Sequence, residues 1–212
     1  MPRPIPTPIL HFTHVDNLAG VIRNGLQGDC AVLEAGTAVI DIGMPSIKEP
    51  RRRRQVPVAP FGVVADYVPF YFAPRSPMMS SISHGNVPQY QDGCGPIVYL
   101  VTTAERLVEA GLRVVASDRN ARLEVAAFEV AENDWGQSVD WDLMRAKWWN
   151  NTAEEPDRRE RRMAECLAHG SVPWDVIMEV VAMNEATATI ARAAIAGDGL
   201  STPVSVRPNW YI

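Results

Sequence analysis

Residues Arg158 to Trp174 read Arg-Arg-Glu-Arg-Arg-Met-Ala-Glu-Cys-Leu-Ala-His-Gly-Ser-Val-Pro-Trp, and the interpretation of the whole chain depends on them. Four arginines precede a single acid, Glu165, which lies inside an apolar run. Taken alone, the charges favour a helix with Glu165 on its solvent face. The alternative is a short strand from Ala164 to Ala168 that begins with a catalytic acid, because a carboxylate is costly to bury without a purpose. The rest of the sequence has to decide between the two.

The composition predicts one globular domain over residues 1–212. Hydrophobic residues make up 47% of the chain, which is enough for a sizeable core. No run of about 18 apolar residues is present, so we expect no membrane span. The proline-rich start lacks the apolar stretch of a signal peptide, which indicates the cytoplasm. Cys30, Cys94 and Cys166 are odd in number and far apart, so we expect free thiols.

The positive charge is unusual in kind and in placement. The net charge is −5, yet of the 20 basic residues only Lys48 and Lys147 are lysines. Arginines form one block at Arg51–Arg54 and a second from Arg158 to Arg162. The planar guanidinium suits phosphate and carboxylate, and it stacks on bases. The clustering therefore indicates an anionic ligand, although a GC-rich genome would also enrich arginine over lysine.

Apolar periodicity and turn residues predict an α+β domain with several short strands. The first strand is Ile9–Thr13, and Asp16-Asn17 cap the following helix, which stops at Gly25. Residues 27–66 show little periodicity, and a loop of that length is usually functional or disordered. Pro69 suggests an edge or a bulge in the next strand. Later elements are predicted as strands at 67–72, 96–102, 112–116, 123–130, 177–183 and 203–211, helices at 104–110 and 185–196, and a tryptophan-rich insertion from 135 to about 157.

The chain lacks the common signatures of nucleotide and metal sites. It has no G-x-x-x-x-G-K-[ST] loop and no glycine-rich strand-to-helix turn, which argues against P-loop and Rossmann folds. No cluster of His, Cys and acids has the spacing of a metal site, and no Ser, His and Asp order stands out. His11 and Thr13 give the first strand a polar edge. These patterns alone predict an α+β enzyme or binding domain of unknown substrate.

Five separated motifs stand out along the chain. They are His11-Phe-Thr-His-Val-Asp-Asn-Leu18, Arg51, Asp66-Tyr-Val-Pro-Phe-Tyr-Phe-Ala-Pro-Arg-Ser-Pro-Met78, Ser117-Asp-Arg-Asn-Ala121 and Ala164-Glu-Cys-Leu167. With these motifs in this order, the sequence resembles the DarT family, the toxins of DarTG toxin–antitoxin systems, which ADP-ribosylate bases in single-stranded DNA. The third motif is the most specific. The resemblance extends to Arg207-Pro-Asn-Trp-Tyr211 and covers nearly the whole chain.

The resemblance implies the ADP-ribosyltransferase fold, in which two apposed small β-sheets with surrounding helices enclose a central NAD cleft. Glu165 matches the catalytic glutamate, and Arg51 matches the key arginine. An NAD-binding loop is expected from about Val32 to Arg52, and a loop that recognises the DNA base from about Asn120 to Glu165. Cys166 departs from the family, where many relatives carry an aromatic or apolar residue, so the choice of base is open. NAD contacts are expected from His11, Phe12, Thr13, Gly20, Gly28 and Arg51, and DNA contacts from Arg75, Asn120, Arg119 and Arg158.

The implied chemistry explains these residue types. Breaking the ribose–nicotinamide bond leaves an oxocarbenium-like carbon, which the Glu165 carboxylate would stabilise. The same carboxylate would take the proton of the attacking base. Arg51 would stabilise the anionic base or hold the NAD phosphates. Tyr67 or Tyr71 would stack on nicotinamide or on a base, although core packing suits either tyrosine.

The implied function is that of a toxin which transfers ADP-ribose from NAD to a base of single-stranded DNA and so blocks replication. Thymidine is the expected base, and no metal is expected. The expected partners are single-stranded DNA and a DarG-like macrodomain antitoxin, with no membrane, and the chain is expected to be a monomer. The alternatives are transfer to guanine, RNA or protein on the same fold, or a non-catalytic nucleic-acid-binding relative.

Overall fold

The computed structural model describes residues 1–36, 40–132 and 135–212. Within them, the strands are β1 Pro8–His14, β2 Leu26–Gln27, β3 Tyr67–Tyr71, β4 Ile97–Thr103, β5 Val114–Ser117, β6 Phe128–Val130, β7 Glu165–His169, β8 Ser171–Val172, β9 Glu179–Ala182 and β10 Val204–Val206. The helices are α1 Leu18–Asn24, α2 Asp29–Ala35, α3 Pro45–Arg51, α4 Pro77–Ser83, α5 Ala104–Glu109, α6 Trp141–Arg145, α7 Arg158–Arg161 and α8 Glu185–Gly197. Short 3₁₀ turns cover Val15–Asn17, Val64–Asp66, Trp174–Val176 and Pro208–Trp210.

Eight of these strands form one sheet whose two halves are joined at a single residue pair. The strand order is β10-β9-β4-β1-β3-β7-β5-β6. β1 pairs with β4 over all seven of its residues, whereas β1 pairs with β3 only through Leu10 and Tyr71. The two halves correspond to the predicted pair of apposed sheets, and this one residue pair makes them continuous. The halves separate between β1 and β3, beyond that single pair.

Pro69 explains why β1 and β3 separate. A proline has no backbone N–H and cannot donate to a neighbouring strand. The Pro69 carbonyl oxygen faces β1, where it accepts a hydrogen bond from His11 Nδ1 at 2.8 Å. The N and O of one strand residue point to the same side, so the missing donor also faces β1. The predicted edge position is wrong, because β3 lies inside the sheet with β7 on its other side.

Alternation along the central strands divides the apolar side chains between two faces of the sheet. Val68, Phe70 and Cys166 belong to the main core, which also includes residues of α1 and α8. Tyr67 and Leu167 point the other way into a smaller cluster. The three cysteines are free thiols, as predicted. Among the described residues, no helix is long and apolar enough to cross a bilayer.

Three predicted elements need correction. Residues 27–66 are not a featureless loop, because they contain α2, α3 and a 3₁₀ turn. The strand predicted at 123–130 is confined to Phe128–Val130. Before it, the Leu123 amide bonds the Asn120 carbonyl oxygen and closes a turn. The strand predicted at 203–211 is likewise confined to Val204–Val206, and a 3₁₀ turn follows it.

Candidate active site

A cavity of about 270 Å³ opens where β1 and β3 separate. Side chains of β1, α1, α2, α3 and β3 line it. Among the described residues, no three His, Cys, Asp or Glu side chains are grouped as a metal site requires. Five of the six predicted NAD contacts line this cavity, namely His11, Phe12, Thr13, Gly20 and Arg51.

The two predicted glycine contacts differ in what they do. Gly20 lines the cavity, and a Cβ there would meet no atom within 4 Å, so any side chain would enter the ligand space. Gly28 lies outside the lining, at the start of α2. A Cβ on Gly28 would approach the Ala65 carbonyl oxygen to 2.9 Å. Close packing of α2 against a neighbouring turn therefore accounts for Gly28.

His11 is held in one tautomer by the strand opposite. Its Nδ1 lies 2.8 Å from the Pro69 carbonyl oxygen, which can only accept, so Nδ1 carries the proton. Burial is the largest effect and lowers the pKa of His11; the Pro69 carbonyl and Asp29 oppose it, and the charges of Lys48 and Arg51 add smaller effects in the direction of burial. The imidazole is therefore neutral at neutral pH. Its Nε2 offers a ligand hydroxyl or amide group a hydrogen-bond acceptor.

The lowered pKa of His11 predicts a pH-dependent stability. The folded protein binds this proton less tightly than the unfolded chain does. The resulting penalty is absent above the ordinary pKa of 6.5 and grows as the pH falls below it. We expect His11→Gln to remove the penalty, so that the Tm of the variant relative to wild type rises between about pH 7 and pH 5.

Thermal denaturation across that pH range tests the prediction. His84→Gln, at an exposed histidine, is the control for the replacement of a histidine by glutamine itself. If the Tm of His11→Gln relative to wild type stayed constant across this range, the lowered pKa of His11 would be contradicted.

At the inner end of the cavity, Arg51 and Glu165 form a buried ion pair. Arg51 Nη1 lies 2.9 Å from Oε1 and 2.8 Å from Oε2 of Glu165, and the two side chains are 8% and 2% exposed. The Ala121 amide donates a further hydrogen bond to Glu165 Oε1 at 3.3 Å. Arg51 lines the cavity, whereas Glu165, to which it is bonded, does not.

The Arg51 guanidinium has an unused donor. Burial disfavours its charge, but the adjacent Glu165 carboxylate outweighs burial and raises the pKa of Arg51. Its Nη2 is buried and has no hydrogen-bond partner among the described residues. An unsatisfied buried donor costs about 1–3 kcal/mol. A ligand oxygen in the cavity would remove that cost.

Strand pairing brings Glu165 to this position. β7 begins at Glu165, directly opposite Tyr71 of β3 and Ser117 of β5. Directly opposed residues point to the same face, so the three side chains share one side of the sheet. Ser117 Oγ accepts a hydrogen bond from the Glu165 amide at 3.2 Å. The strand interpretation of this stretch is confirmed, because α7 ends at Arg161 and the chain is extended from Glu165.

The two candidate stacking tyrosines have different positions. Tyr71 lines the cavity, and its ring stacks on Phe12 with the centroids 5.6 Å apart. Tyr67 is 1% exposed, and its hydroxyl donates to the Phe61 carbonyl oxygen at 2.6 Å. Tyr67 is therefore a core residue, and Tyr71 is the tyrosine that a ligand in the cavity would meet.

Two lining residues that the sequence interpretation missed hold the loop beside the cavity. Lys48 Nζ lies 3.0 Å from Asp29 Oδ1 and 2.9 Å from Asp41 Oδ1, which ties α3 to α2 and to the segment between them. The side chain of Asn17, a predicted helix cap, makes no cap hydrogen bond. Its amide group instead bonds the Ile40 backbone at 2.8 and 3.0 Å. Residues 37–39 of the predicted NAD loop lie outside the described residues.

Asn120, a predicted DNA contact, lines a second cavity of about 160 Å³. This cavity shares Met44, Ile47 and Met78 with the first, so the two adjoin. Asn120 is 4% exposed. The base-recognition loop expected from this residue onward therefore begins at a hollow next to the larger cavity.

The three arginines predicted to contact DNA differ in whether an acidic side chain pairs with them. Arg119 pairs with Asp118 and Asp157, and Arg158 pairs with Glu155. For Arg75, the described residues provide no acidic partner within ion-pair distance. None of the three arginines lines either cavity. Arg75 is therefore the one of these three whose charge is free to meet an anionic ligand.

Most arginines of the two blocks are already neutralised within the protein. The four members of Arg51–Arg54 pair with three glutamates, because Arg52 and Arg53 share Glu49. In the second block, Arg158 and Arg161 pair with acids, and Arg162 is buried against backbone carbonyl groups. The described residues offer Arg159 no acidic partner. The blocks therefore leave little free positive charge for phosphates, contrary to the expectation from clustering.

The split sheet, with a cavity at its opening and the Arg51–Glu165 pair beside it, agrees with the ADP-ribosyltransferase fold that the motifs imply. A family model described as "ssDNA thymidine ADP-ribosyltransferase, DarT" matches residues 10–212, so the chain belongs to the DarT family. A DNA ADP-ribosyl transferase of Thermus sp. (strain 2.9) is 36% identical over 210 residues, which cover 98% of this chain and 97% of the relative. A DNA ADP-ribosyl transferase of Mycobacterium tuberculosis is 35% identical, with 96% and 88% covered.

Solved structures show the same fold. Thermus sp. 2.9 DarT in complex with ADP-ribosylated ssDNA matches with a TM-score of 0.91 at 34% identity, covering 100% of this chain and 99% of that one. The same enzyme in complex with NAD⁺ matches with a TM-score of 0.84 at 33% identity, covering 99% of each chain. The predicted fold class is confirmed. The chain is an NAD-dependent DNA ADP-ribosyltransferase, with NAD as its co-substrate.

Proposed function

We propose that this enzyme transfers ADP-ribose from NAD to a thymidine base of single-stranded DNA and releases nicotinamide. The observation that carries the proposal is the buried Arg51–Glu165 pair at the inner end of the cavity, with a donor of Arg51 left unsatisfied. The description of the matching family and the Thermus complex with ADP-ribosylated ssDNA support the acceptor.

In this proposal NAD lies in the larger cavity, against the His11–Thr13 segment of β1. Cleavage of the bond from ribose C1′ to nicotinamide sends the bonding electron pair to the leaving nicotinamide and leaves a cation-like carbon. The Glu165 carboxylate stabilises this carbon electrostatically. Because both carboxylate oxygens of Glu165 are bonded to Arg51 and Glu165 does not line the cavity, the ion pair has to open before Glu165 can act directly.

The acceptor step uses the same two residues. The thymine N3–H proton passes to the Glu165 carboxylate as N3 forms its bond to ribose C1′. Arg51 donates to an oxygen of the anionic base or of the NAD phosphates, which satisfies its free Nη2. The N3 atom is used in base pairing, and flipping a base out of a duplex costs a few kcal/mol. Single-stranded DNA is therefore the substrate we expect.

The proposal extends to the role in the cell. A thymine carrying ADP-ribose on N3 cannot pair, so replication stops and the enzyme acts as a toxin. Its antitoxin is then a macrodomain protein that removes the ADP-ribose. Resemblance to the toxins of DarTG systems supports this role. Residues 1–212 act as one domain, which strands from both ends of the chain in one sheet support, and the enzyme acts as a monomer.

A panel of oligonucleotides incubated with NAD tests the proposed reaction by mass spectrometry. We expect one ADP-ribose on single strands that contain thymidine, and none on strands without thymidine or on RNA and protein. N3-methylthymidine has no N3 proton and should not react. Duplex DNA should react about 10²-fold more slowly, from the cost of flipping the base. Modification of guanine, or of N3-methylthymidine, would refute the assignment of the acceptor.

A further inference from the structure

Trp148 is exposed and lies beside uncompensated positive charge. Its side chain is 66% exposed, and Lys147 Nζ and Arg75 Cζ lie 5.2 and 5.9 Å from its ring centroid. Among the described residues, neither cation has an acidic partner within ion-pair distance. Single-stranded nucleic acid sites combine the same two elements, because an aromatic ring stacks on a base and nearby cations contact the phosphates.

The turn that carries Arg75 is held in a disfavoured conformation. Arg75 has a φ of +58°, in the left-handed region that residues other than glycine rarely adopt. The buried Arg162 donates to the Pro74 carbonyl oxygen at 2.8 Å, and to the Leu143 and Met144 carbonyl oxygens at 2.6 and 2.7 Å. Arg162 therefore fixes the Arg75 turn against α6. Strained positions that the surrounding structure holds in place cluster at functional sites.

The Trp148 segment is also fixed, and it lies near the reacting groups. Arg158 Nη2 donates to the Trp148 carbonyl oxygen at 3.3 Å, and α7, which contains Arg158, leads directly into β7 and Glu165. From the other side, Arg75 follows Tyr71 by four residues, which span at most roughly 14 Å, and Tyr71 is opposite Glu165. Trp148 itself lines neither cavity.

We infer that Trp148, with Arg75 and Lys147, is a stacking site for a base that neighbours the acceptor nucleotide. The exposed indole stacks on that base, and the two cations contact the phosphates beside it. The site positions the strand and takes no part in NAD binding or in bond cleavage. This inference rests on the proposed function for the identity of the acceptor strand.

Kinetics with strands that carry one acceptor thymidine test the inference. We expect Trp148→Ala to raise KM for the oligonucleotide about tenfold, the loss that corresponds to one stacked base. The kcat and the affinity for NAD should change little. Trp148→Phe keeps an aromatic ring and should recover most of the affinity. Phe61, 58% exposed and outside both cavities, provides the matched control, since Phe61→Ala should leave KM unchanged.

An abasic site moved along the strand identifies the stacked base. At one position next to the acceptor, the abasic site should raise the KM of the wild type about as much as Trp148→Ala does. The same abasic site should leave the KM of the variant unchanged. The inference would be overturned if the abasic site raised the KM of Trp148→Ala as much as that of the wild type at every position. An unchanged KM for Trp148→Ala would overturn it too. An unchanged KM is the result expected if this surface binds a partner protein and not DNA.

Fluorescence anisotropy with labelled single strands, without NAD, separates this inference from the proposed function. Weaker binding by Trp148→Ala would support the stacking site. A wild type that binds DNA but does not modify it would refute the proposed function and leave that support intact. Equal binding by wild type and variant would refute the stacking site whatever the wild type modifies.

Discussion

The Glu165→Gln protein is expected to bind NAD nearly as the wild type does and to modify DNA at least about 10²-fold more slowly. Glutamine keeps the size of the side chain and an oxygen for the Ala121 amide. It removes the charge that stabilises the cation-like ribose carbon and the group that accepts the proton of the base. Initial rates of transfer to an oligonucleotide, with NAD affinity measured by calorimetry, test both parts.

A matched control comes from the other end of the sheet. Glu179 on β9 accepts hydrogen bonds from Arg207 Nη2 at 2.7 and 2.9 Å, so Glu179→Gln removes a comparable carboxylate–arginine pair away from the cavity. We expect this variant to modify DNA at the wild-type rate. Expressed alone in a bacterium, the wild type and Glu179→Gln should be toxic and Glu165→Gln should not. If Glu165→Gln transferred ADP-ribose at a near-normal rate, Glu165 would not be a catalytic residue.

The local sequence around Glu165 does not determine its structure. Its charges favour a helix, and a one-turn helix, α7, does form immediately before it. The extended conformation from Glu165 onward comes from pairing with β3 and β5, whose residues Tyr71 and Ser117 lie far away in the sequence. Tertiary pairing of this kind overrides local preference. The local pattern did not identify Glu165 as a site residue; the five motifs in their order, through the family resemblance, did.

The roles of Lys48 and Asn17 were harder to predict than the positions of the motif residues. The motif from His11 to Thr13 lies on one strand, and its residues line the cavity as expected. Lys48 and Asn17 have partners in other segments, and no local pattern predicts those contacts. The scarcity of lysine in the chain is the one sequence feature that sets Lys48 apart.

The arginine blocks show why charge counted along a sequence is an uncertain guide to phosphate binding. Clustering predicts a positive surface, but a helix or turn that places arginines beside glutamates cancels it. Arg52 and Arg53 share Glu49 in this way, while Arg51 and Arg54 pair with glutamates that are distant in the sequence. Arg75 and Lys147 stand alone in the sequence, yet they keep their charge beside Trp148. Only the folded structure separates the two cases.

The largest loss of stability is expected from Arg51→Ala, because it leaves the Glu165 carboxylate buried without its cation. Breaking a buried pair by removing one partner costs about 3–5 kcal/mol, which for a chain of this size lowers Tm by roughly 10 °C. Activity should be lost with it. Arg51→Lys keeps the charge, but a single ammonium lacks the planar fork, so we expect a smaller fall in Tm and a similar loss of transfer.

The double variant Arg51→Met/Glu165→Met separates stability from chemistry. Replacing both members of a buried ion pair with apolar side chains of similar size is often neutral or stabilising. We therefore expect the double variant to recover most of the Tm that Arg51→Ala loses, while it remains inactive. Arg207→Ala is the control, because Arg207 is 38% exposed in its pair with Glu179 and a pair near the surface is worth at most about 1 kcal/mol. If Arg51→Ala unfolded at the wild-type temperature, the pair would not be closed in solution, and Glu165 would be open to the cavity before any ligand binds.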